Sequence, residues 1–593
     1  MNKMNLRDVF FVSSRIFKRV SLKRQKQFLW LMLLTIIGSI SEVISLGAIV
    51  PFLGALTQPN VVLEYPIVRI LLESVNLNNN KQDLILFMTI TFSVAAIFAG
   101  IMRLMLLRVG IYLSNTAAAD ISENIYNRTL YQPYSVHISR SSSEIITGIT
   151  QKVSTVVRVM MSVVTVITSA GLFTAILSGL IFINPRIAII SALFFGLAYI
   201  AIAWFVQQRL LSNGKKIAYE STGVVKSLQE GLGAIREVLL DGTQKVHAKT
   251  YNNSIQTLQK ANAESTFLNQ APRYLMETIG IVFIATLAFF LSRDEGGIAA
   301  AIPLLGVLAF GAQRLIPIMQ QLYGNWTSFA TNYASLLDVL ELIEQPLPKY
   351  AYEKNLNKLT FNKSITLKNI FFHHHPESPW VLKNINLSIM KGSCVGIIGS
   401  TGGGKSTLLD VLMSLLEPSK GSLLLDGKKL DSTLAYKWQR SIAHVPQSIF
   451  LTDSSIMENI AFGIEKEKID IQRVRIVAKY AQINHFIESQ QFGYNSMVGE
   501  RGVRLSGGQK QRIGIARALY KGAKVLILDE ATSALDSSTE EAVMKEITSL
   551  SEDLTVLIIA HRITTLKNCN TVIKLEKGEI VEQNSYDYFI GQT

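Results

Sequence analysis

The sequence predicts two parts. The first is an α-helical polytopic membrane domain of six spans with long cytoplasmic helical extensions. The second is a C-terminal α/β domain built around a phosphate-binding loop. Three observations predict this. Six long apolar stretches lie before residue 325, two of the connections between them are long and polar, and a glycine-rich loop ending in Lys-Ser follows a short apolar run in the second half.

The apolar stretches cover residues 28–56, 84–110, 156–183, 187–206, 274–292 and 298–322. A membrane-spanning helix needs about 20 mostly apolar residues, and each stretch approaches or exceeds that. Composition agrees: 49% of residues are apolar and 17% charged, against about 25% charged in an average soluble protein. Mean hydropathy is +0.28. These values argue against a disordered chain, a disulfide scaffold and an ordinary soluble enzyme. Two cysteines, Cys394 and Cys569, make no framework of bridges and fit a reducing compartment. The first stretch is too long for a cleaved signal.

The net charge of +14 suits either nucleic acid or a membrane surface, and its distribution decides. Residues 1–27 carry Lys3, Arg7, Arg15, Lys18, Arg19, Lys23, Arg24 and Lys26 against Asp8 alone. Such a flank stays on the cytoplasmic side, so the N-terminus and, after six spans, the C-terminal domain are expected inside a plasma (inner) membrane, with no nucleic-acid partner. Residues 5–19 suit an amphipathic helix lying on the lipid surface. Short joints at Asn184-Pro185-Arg186 and around residues 292–297 fall outside. The inner connections, 111–155 and 207–273, read as helical extensions, because structureless loops of that length are uncommon. The expected division is 1–27 N-terminal segment, 28–325 membrane domain, 326–360 linker through Gln345-Pro346-Leu347-Pro348, and 361–593 nucleotide domain.

Residues 394–398 read as a buried strand. Gly399, Ser400, Thr401, Gly402, Gly403, Gly404, Lys405, Ser406 and Thr407 follow, and then an apolar helix. This is the pattern G-x-x-x-x-G-K-[ST] in its proper strand–helix context. The glycines let backbone N–H groups point at phosphate oxygens, Lys405 supplies positive charge, Ser406 offers a hydroxyl to Mg²⁺, and the helix N-terminus adds its partial charge. Further on, Val525-Leu526-Ile527-Leu528 reads as a buried parallel strand ending in Asp529 and Glu530. Acids at that end project toward the phosphate site. Asp529 suits Mg²⁺, and Glu530 suits polarising a water.

With Leu505-Ser506-Gly507-Gly508-Gln509 between them, the second half resembles an ATP-binding-cassette (P-loop) ATPase, and the whole chain resembles an ABC exporter half-transporter. Gln447 matches the family's Q-loop glutamine, Ser533–Asp536 its D-loop, His561 its switch histidine, and Val498–Gly502 an exporter-specific element. The resemblance implies ATP and Mg²⁺ as cofactors. Ser406, Gln447 and Asp529 would hold the metal, and Glu530, His561 and Gln447 would be the catalytic set. It also implies short helices at the tips of the inner connections, near 130–140 and 231–240, and a head-to-tail dimer with a second copy or a related half-transporter. In that dimer Ser506, Gly507, Gly508 and Gln509 face the ATP held by the partner's phosphate loop. One departure concerns His373, His374 and His375, which stand where the family commonly has a tyrosine stacked on adenine. His374 aligns best, and a metal-binding reading of this tract is set aside.

The cargo is the open part. Orientation favours export or flipping of an amphiphile. Glu42–Phe52 and Arg314-Leu315-Ile316-Pro317 resemble, more loosely, bacterial flippases of lipid-linked oligosaccharides. A lipid-linked oligosaccharide or glycolipid is therefore the expected substrate, with drugs, other lipids and peptides as alternatives. The absence of a peptidase domain before the first stretch weighs against peptides. An ATP-gated channel or regulator is a further alternative, since fold does not fix function. Arg103, Arg273 and Arg314 lie within or at the ends of apolar spans, where charge is costly and faces a cavity or a partner. Guanidinium groups pair with phosphate oxygens, so these three are the candidate substrate residues. The competing reading for Arg273 is a helical ion pair with Glu277.

Overall fold

The computed structural model describes residues 6–591, except 49–51, 53–54, 57–80, 184, 292–296, 353–357, 360, 550–553 and 561. The chain divides into two compact units. One holds Met1–Gln132 and Arg140–Leu347, and the other holds Pro348–Thr593 with Pro133–Ser139.

The first unit is helical. It contains α1 (Leu6–Arg19), α2 (Leu22–Gly47), α3 (Lys81–Leu130), α5 (Ser142–Thr147), α6 (Val153–Ile183), α7 (Pro185–Gly233), α8 (Ile235–Leu240), α9 (Gln244–Leu291) and α10 (Gly297–Ile343); α4 (Tyr134–Ser139) lies in the segment grouped with the second unit. All six apolar stretches fall on helices. The first is described as helix to Gly47, and most of its remainder lies outside the described residues. Among the described residues, 81–130, 142–178 and 192–233 are long and apolar enough to cross a membrane. Their outer faces are apolar as well: Ile97, Leu104, Ile167 and Phe205 are exposed. Exposed apolar surface on this scale suits lipid rather than water. The inner connections are helix, with α4 and α8 at the expected tips.

The expected linker 326–360 needs correction. Helix α10 continues to Ile343, and the chain leaves it at the Gln345–Pro348 segment. Two sets of side chains hold this extension. Leu336, Val339, Leu340 and Ile343 are buried together with Val12 and Ile16 of α1 and Ile121 and Ile125 of α3. Asp338, Glu341 and Glu344 recur every third residue and pair with Lys152 (2.5 Å), Arg140 and Arg15. Lys152 closes a π-helical turn over Gly148–Lys152. In that turn Gly148 allows Leu342 an approach that a Cβ would obstruct at 2.4 Å.

The second unit carries two sheets. Strands β1 (Ser364–Phe372), β2 (Leu382–Met390), β4 (Lys420–Leu425) and β5 (Lys428–Lys429) form an antiparallel sheet in the order β2-β1-β4-β5. Strands β3 (Cys394–Ile398), β6 (Ile442–Val445), β7 (Val525–Asp529), β8 (Thr555–Ile559), β9 (Thr571–Glu576) and β10 (Glu579–Asn584) form the other, in the order β10-β9-β3-β8-β7-β6. All its pairings are parallel except β10 with β9. Val525–Leu528 are buried, with Leu526 and Leu528 in one apolar cluster and Val525 and Ile527 in the other. A strand covered on both faces must be apolar throughout, hence the unbroken run read from the sequence. Cys394, at the start of β3, and Cys569, just before β9, are buried thiols with Sγ atoms 3.0 Å apart.

Candidate nucleotide site

The sheet order positions the site. Strands β3, β8 and β7 are neighbours and parallel, so their C-terminal ends share one edge. Ligands of open parallel sheets bind at such an edge. The phosphate loop leaves β3, the acids end β7, and β8 ends two residues before His561. His561 itself lies outside the described residues.

The loop turns into α11 (Lys405–Leu412), with Gly404 as N-cap at φ +97°. Gly399 is irreplaceable on steric grounds: it has φ +153°, and a Cβ there would meet the Leu575 carbonyl oxygen at 2.0 Å. Gly403 N–H donates to the Ser400 carbonyl at 3.0 Å. The buried Lys405 donates from Nζ to the carbonyls of Gly399 (2.7 Å) and Ser400 (2.9 Å), so the loop curls around its ammonium. A loop that admits only glycine at its tightest point and encloses a cation fits a phosphate chain. Ser406, Gln447 and Asp529 offer hydroxyl, amide and carboxylate oxygens, the hard donors that suit Mg²⁺. Thr401, Gly402 and Thr407 complete the loop and the first turn of the helix.

Glu530 follows β7 with φ +50°, a left-handed conformation uncommon for a residue with a Cβ and often found at functional sites. Its N–H donates to the Ile559 carbonyl at 3.1 Å, which ties it to the end of β8. Gln447 Nε2 donates to Glu530 Oε2 at 2.5 Å. The structure thus brings together two residues that the sequence could link only by resemblance. Burial pushes the Asp529 carboxyl above its ordinary value, and the nearby Glu530 charge adds to this while Lys405 opposes it.

Two residues were missed by sequence reasoning. Asp410 of α11 is pushed up to about 6 by burial and by Asp529. Gln511, two residues beyond the Leu505–Gln509 motif, is buried and hydrogen-bonded to the backbone of Glu530 and Ala534 and to Ser533 Oγ. A polar residue on the inner face of a helix that starts with a cap was the available signal for Gln511.

The Leu505–Gln509 motif opens α12 (Gly507–Lys521) through a capping box. Ser506 Oγ accepts from Gln509 N–H, and Gln509 Oε1 accepts from Ser506 N–H at 2.9 Å. The Gln509 side chain is therefore engaged in the cap. The N–H groups of Gly507 and Gly508 stand in the first turn, where a helix presents free donors. No hydrogen bond among the described residues joins this motif to the phosphate loop of the same chain.

At the end of β1 the histidines separate. His373 packs on Trp380, with ring centroids 4.6 Å apart. His374 is exposed and meets Phe372 edge-on at 5.1 Å. His375 N–H donates to Ser378 Oγ. Among the described residues no cluster of three His, Cys, Asp or Glu is placed to hold a metal.

In the helical unit, Arg273 is exposed and ion-paired with Glu277 at 2.9 Å, one helical turn on. The structural reading of Arg273 thus has its partner in place. Arg103 lines a cavity of about 180 Å³ with Thr35, Ser39, Thr165, Thr168 and Gln321. Thr35 Oγ1 is buried without a hydrogen-bond partner. Arg314 lies on α10, and its side chain is outside the described residues.

Comparison with known proteins agrees with this architecture. Residues 60–293 match the profile of the ABC transporter transmembrane region, and residues 382–533 match the ABC transporter profile. The leukotoxin translocation ATP-binding protein LktB of a Pasteurella haemolytica-like strain is 40% identical over 277 residues, 46% of this chain and 38% of that protein. The alpha-hemolysin translocation ATP-binding protein HlyB of Escherichia coli is 39% identical over 267 residues, 45% of this chain and 37% of that one. The alignments thus cover less than half the length of these relatives. The fold matches the structure of a bacterial Atm1-family ABC exporter with ATP bound (TM-score 0.79, 21% identity, 96% of both chains covered). With a helical transmembrane region and an α/β nucleotide-binding domain in one chain, this protein belongs to the ABC transporter family.

Proposed function

We propose that the chain is one half of a dimeric, ATP-hydrolysing exporter that carries an amphiphilic cargo across a plasma (inner) membrane, with its N-terminus and nucleotide domain cytoplasmic. The observation that carries the ATPase reading is the Gln447–Glu530 hydrogen bond at the strand edge that also bears the phosphate loop. Residues 399–407 cradle the phosphates, and His374 meets the adenine. Mg²⁺, when bound by Ser406, Asp529 and Gln447, neutralises phosphate charge. Glu530 takes the proton of the attacking water, and His561 holds the γ-phosphate. Ser506, Gly507 and Gly508 complete the site of the partner copy, with Gln509 supporting them through the cap. Catalysis of this kind is mainly positioning and charge stabilisation. ATP joins the two nucleotide domains, and its hydrolysis releases them. This drives transport only if ATP binds one membrane conformation more tightly than the other.

For the cargo, the cavity beside Arg103 combines one cation, several hydroxyls and apolar walls such as Leu106 and Leu107. That mixture supports an anionic head group on an apolar tail, as in a lipid-linked oligosaccharide or glycolipid, with Arg314 and Arg273 as further contacts. A polypeptide is the second reading, supported by the relatives named for leukotoxin and hemolysin translocation. Reconstitution in liposomes tests both. ATP-dependent flipping of a pyrophosphate-linked lipid, lost in Arg103→Ala with basal ATPase intact, supports the first. Transport of a polypeptide without lipid flipping supports the second. Ion currents without either would replace both by an ATP-gated channel.

A further inference from the structure

Gln511 is only 5% exposed and lies one turn into α12. Its side-chain amide uses both donor hydrogens and its oxygen. Oε1 accepts from the Ala534 N–H at 2.9 Å, and Nε2 donates to Ser533 Oγ at 3.1 Å and to the Glu530 carbonyl at 3.4 Å. Ser533 N–H in turn donates to the Glu530 carbonyl at 3.2 Å. A side chain that accepts from one backbone donor while donating to a carbonyl needs both functions, and the glutamine amide supplies them. Glutamate lacks the donor, and leucine lacks both. Contact is close on this face, since a Cβ on Gly508 would stand 3.0 Å from the Ala534 carbonyl.

These bonds join two segments with different duties. The first turn of α12 carries Ser506–Gly508, and the turn after β7 carries Glu530. In the head-to-tail pairing proposed above, on which this inference rests, Glu530 serves the ATP bound by its own chain and Ser506–Gly508 serve the ATP bound by the partner. We propose that Gln511 is a positioning residue that links the two ATP sites, so that engagement of the motif at one site sets the backbone bearing Glu530 at the other. An adjustment of α12 against the partner's nucleotide is transmitted by the amide to the Glu530 carbonyl and to the Ser533–Ala534 turn. Buried hydrogen-bonded links of this type move as units, because breaking one strands a polar group.

The test is ATPase activity against ATP concentration for the full chain in nanodiscs, comparing wild type, Gln511→Glu and Gln511→Leu. The glutamate keeps the bond to Ala534 N–H and loses both donations. Both variants should lower kcat by about tenfold, the size expected when one or two hydrogen bonds leave the transition-state arrangement. KM for ATP should stay within about threefold, since the phosphate loop is untouched. The Hill coefficient, above 1 in the wild type, should fall to 1. A lower kcat with an unchanged Hill coefficient would make the link merely structural and overturn the proposal, as would wild-type kcat or a wild-type Hill coefficient of 1. Dimer formation is read separately, from ATP-induced closure of Glu530→Gln protein by cross-linking. Failure there would refute the head-to-tail pairing, whereas closure with non-cooperative wild-type kinetics would refute only the role of Gln511.

Discussion

Replacing Glu530 by glutamine separates two roles of that carboxylate. It takes a proton from water in the proposed reaction, and it accepts a hydrogen bond from Gln447 at 2.5 Å. Loss of a general base costs about 10²–10⁴ in rate, or about 2.7 to 5.4 kcal/mol of barrier. Weakening the Gln447 bond from charge-assisted to neutral costs about 1 kcal/mol, which is about fivefold in rate. The backbone should hold, because glutamine occupies the left-handed conformation (φ +50°) no worse than glutamate and keeps its N–H to Ile559. The phosphate cradle should hold too, because Lys405 is fixed by Gly399 and Ser400. Steady-state phosphate release from Glu530→Gln should therefore fall by at least about a hundredfold, with ATP binding by fluorescence titration within a few-fold of wild type. A loss of only about fivefold would mean that Glu530 acts through Gln447 alone, and the assignment as base would be wrong.

Gly399→Ala places a Cβ 2.0 Å from the Leu575 carbonyl at φ +153°; overpacking of this kind costs about 1–3 kcal/mol, so the melting temperature should drop and its rise on adding ATP should vanish. His374→Ala should weaken ATP binding by the ~1–3 kcal/mol of a stacked base and His374→Tyr should restore it, whereas His373→Ala should disturb the Trp380 contact instead; calorimetric titration of the three variants distinguishes them. Asp410 gives a pH dependence in nucleotide-free protein with EDTA. Its folded value of about 6 lies above the ordinary 3.8, so its ionisation opposes folding above about pH 6 and the penalty disappears toward pH 4. Asp410→Asn should accordingly raise the urea midpoint at pH 8 and leave it unchanged at pH 4, and an equal shift at both would contradict the cause assigned here.

Motifs contiguous in sequence were legible because their chemistry is local. The nine residues from Gly399 to Thr407 form a cradle out of their own backbone, and the helix that follows is capped by Gly404. The helical extensions were expected from long polar connections, whereas the short helices at 134–139 and 235–240 were expected only from the family resemblance. Less legible was the end of the last span. Residues 326–343 read as linker because the sequence turns polar, yet Asp338, Glu341 and Glu344 find cations on other elements, and Leu336, Val339 and Ile343 find a core. Partners hundreds of residues away cannot be read from a local window.

Taken alone, the sequence determined the class of the protein: runs of apolar residues long enough for a bilayer, a basic flank, and a loop that only glycines can close around a phosphate chain. Tertiary structure decided which groups meet. Gln447 and Glu530 are 83 residues apart, and they touch because β6 and β7 lie side by side in the order β3-β8-β7-β6. Gln511 reaches Glu530, Ser533 and Ala534 because α12 packs against the turn that β7 feeds. His373 turns to Trp380 and leaves His374 exposed because alternate residues leaving a strand face opposite sides. Spacing fixes what a residue can do within a turn or two. Strand order and helix packing fix what it does across the molecule, and those depend on buried surfaces that no single stretch of sequence contains.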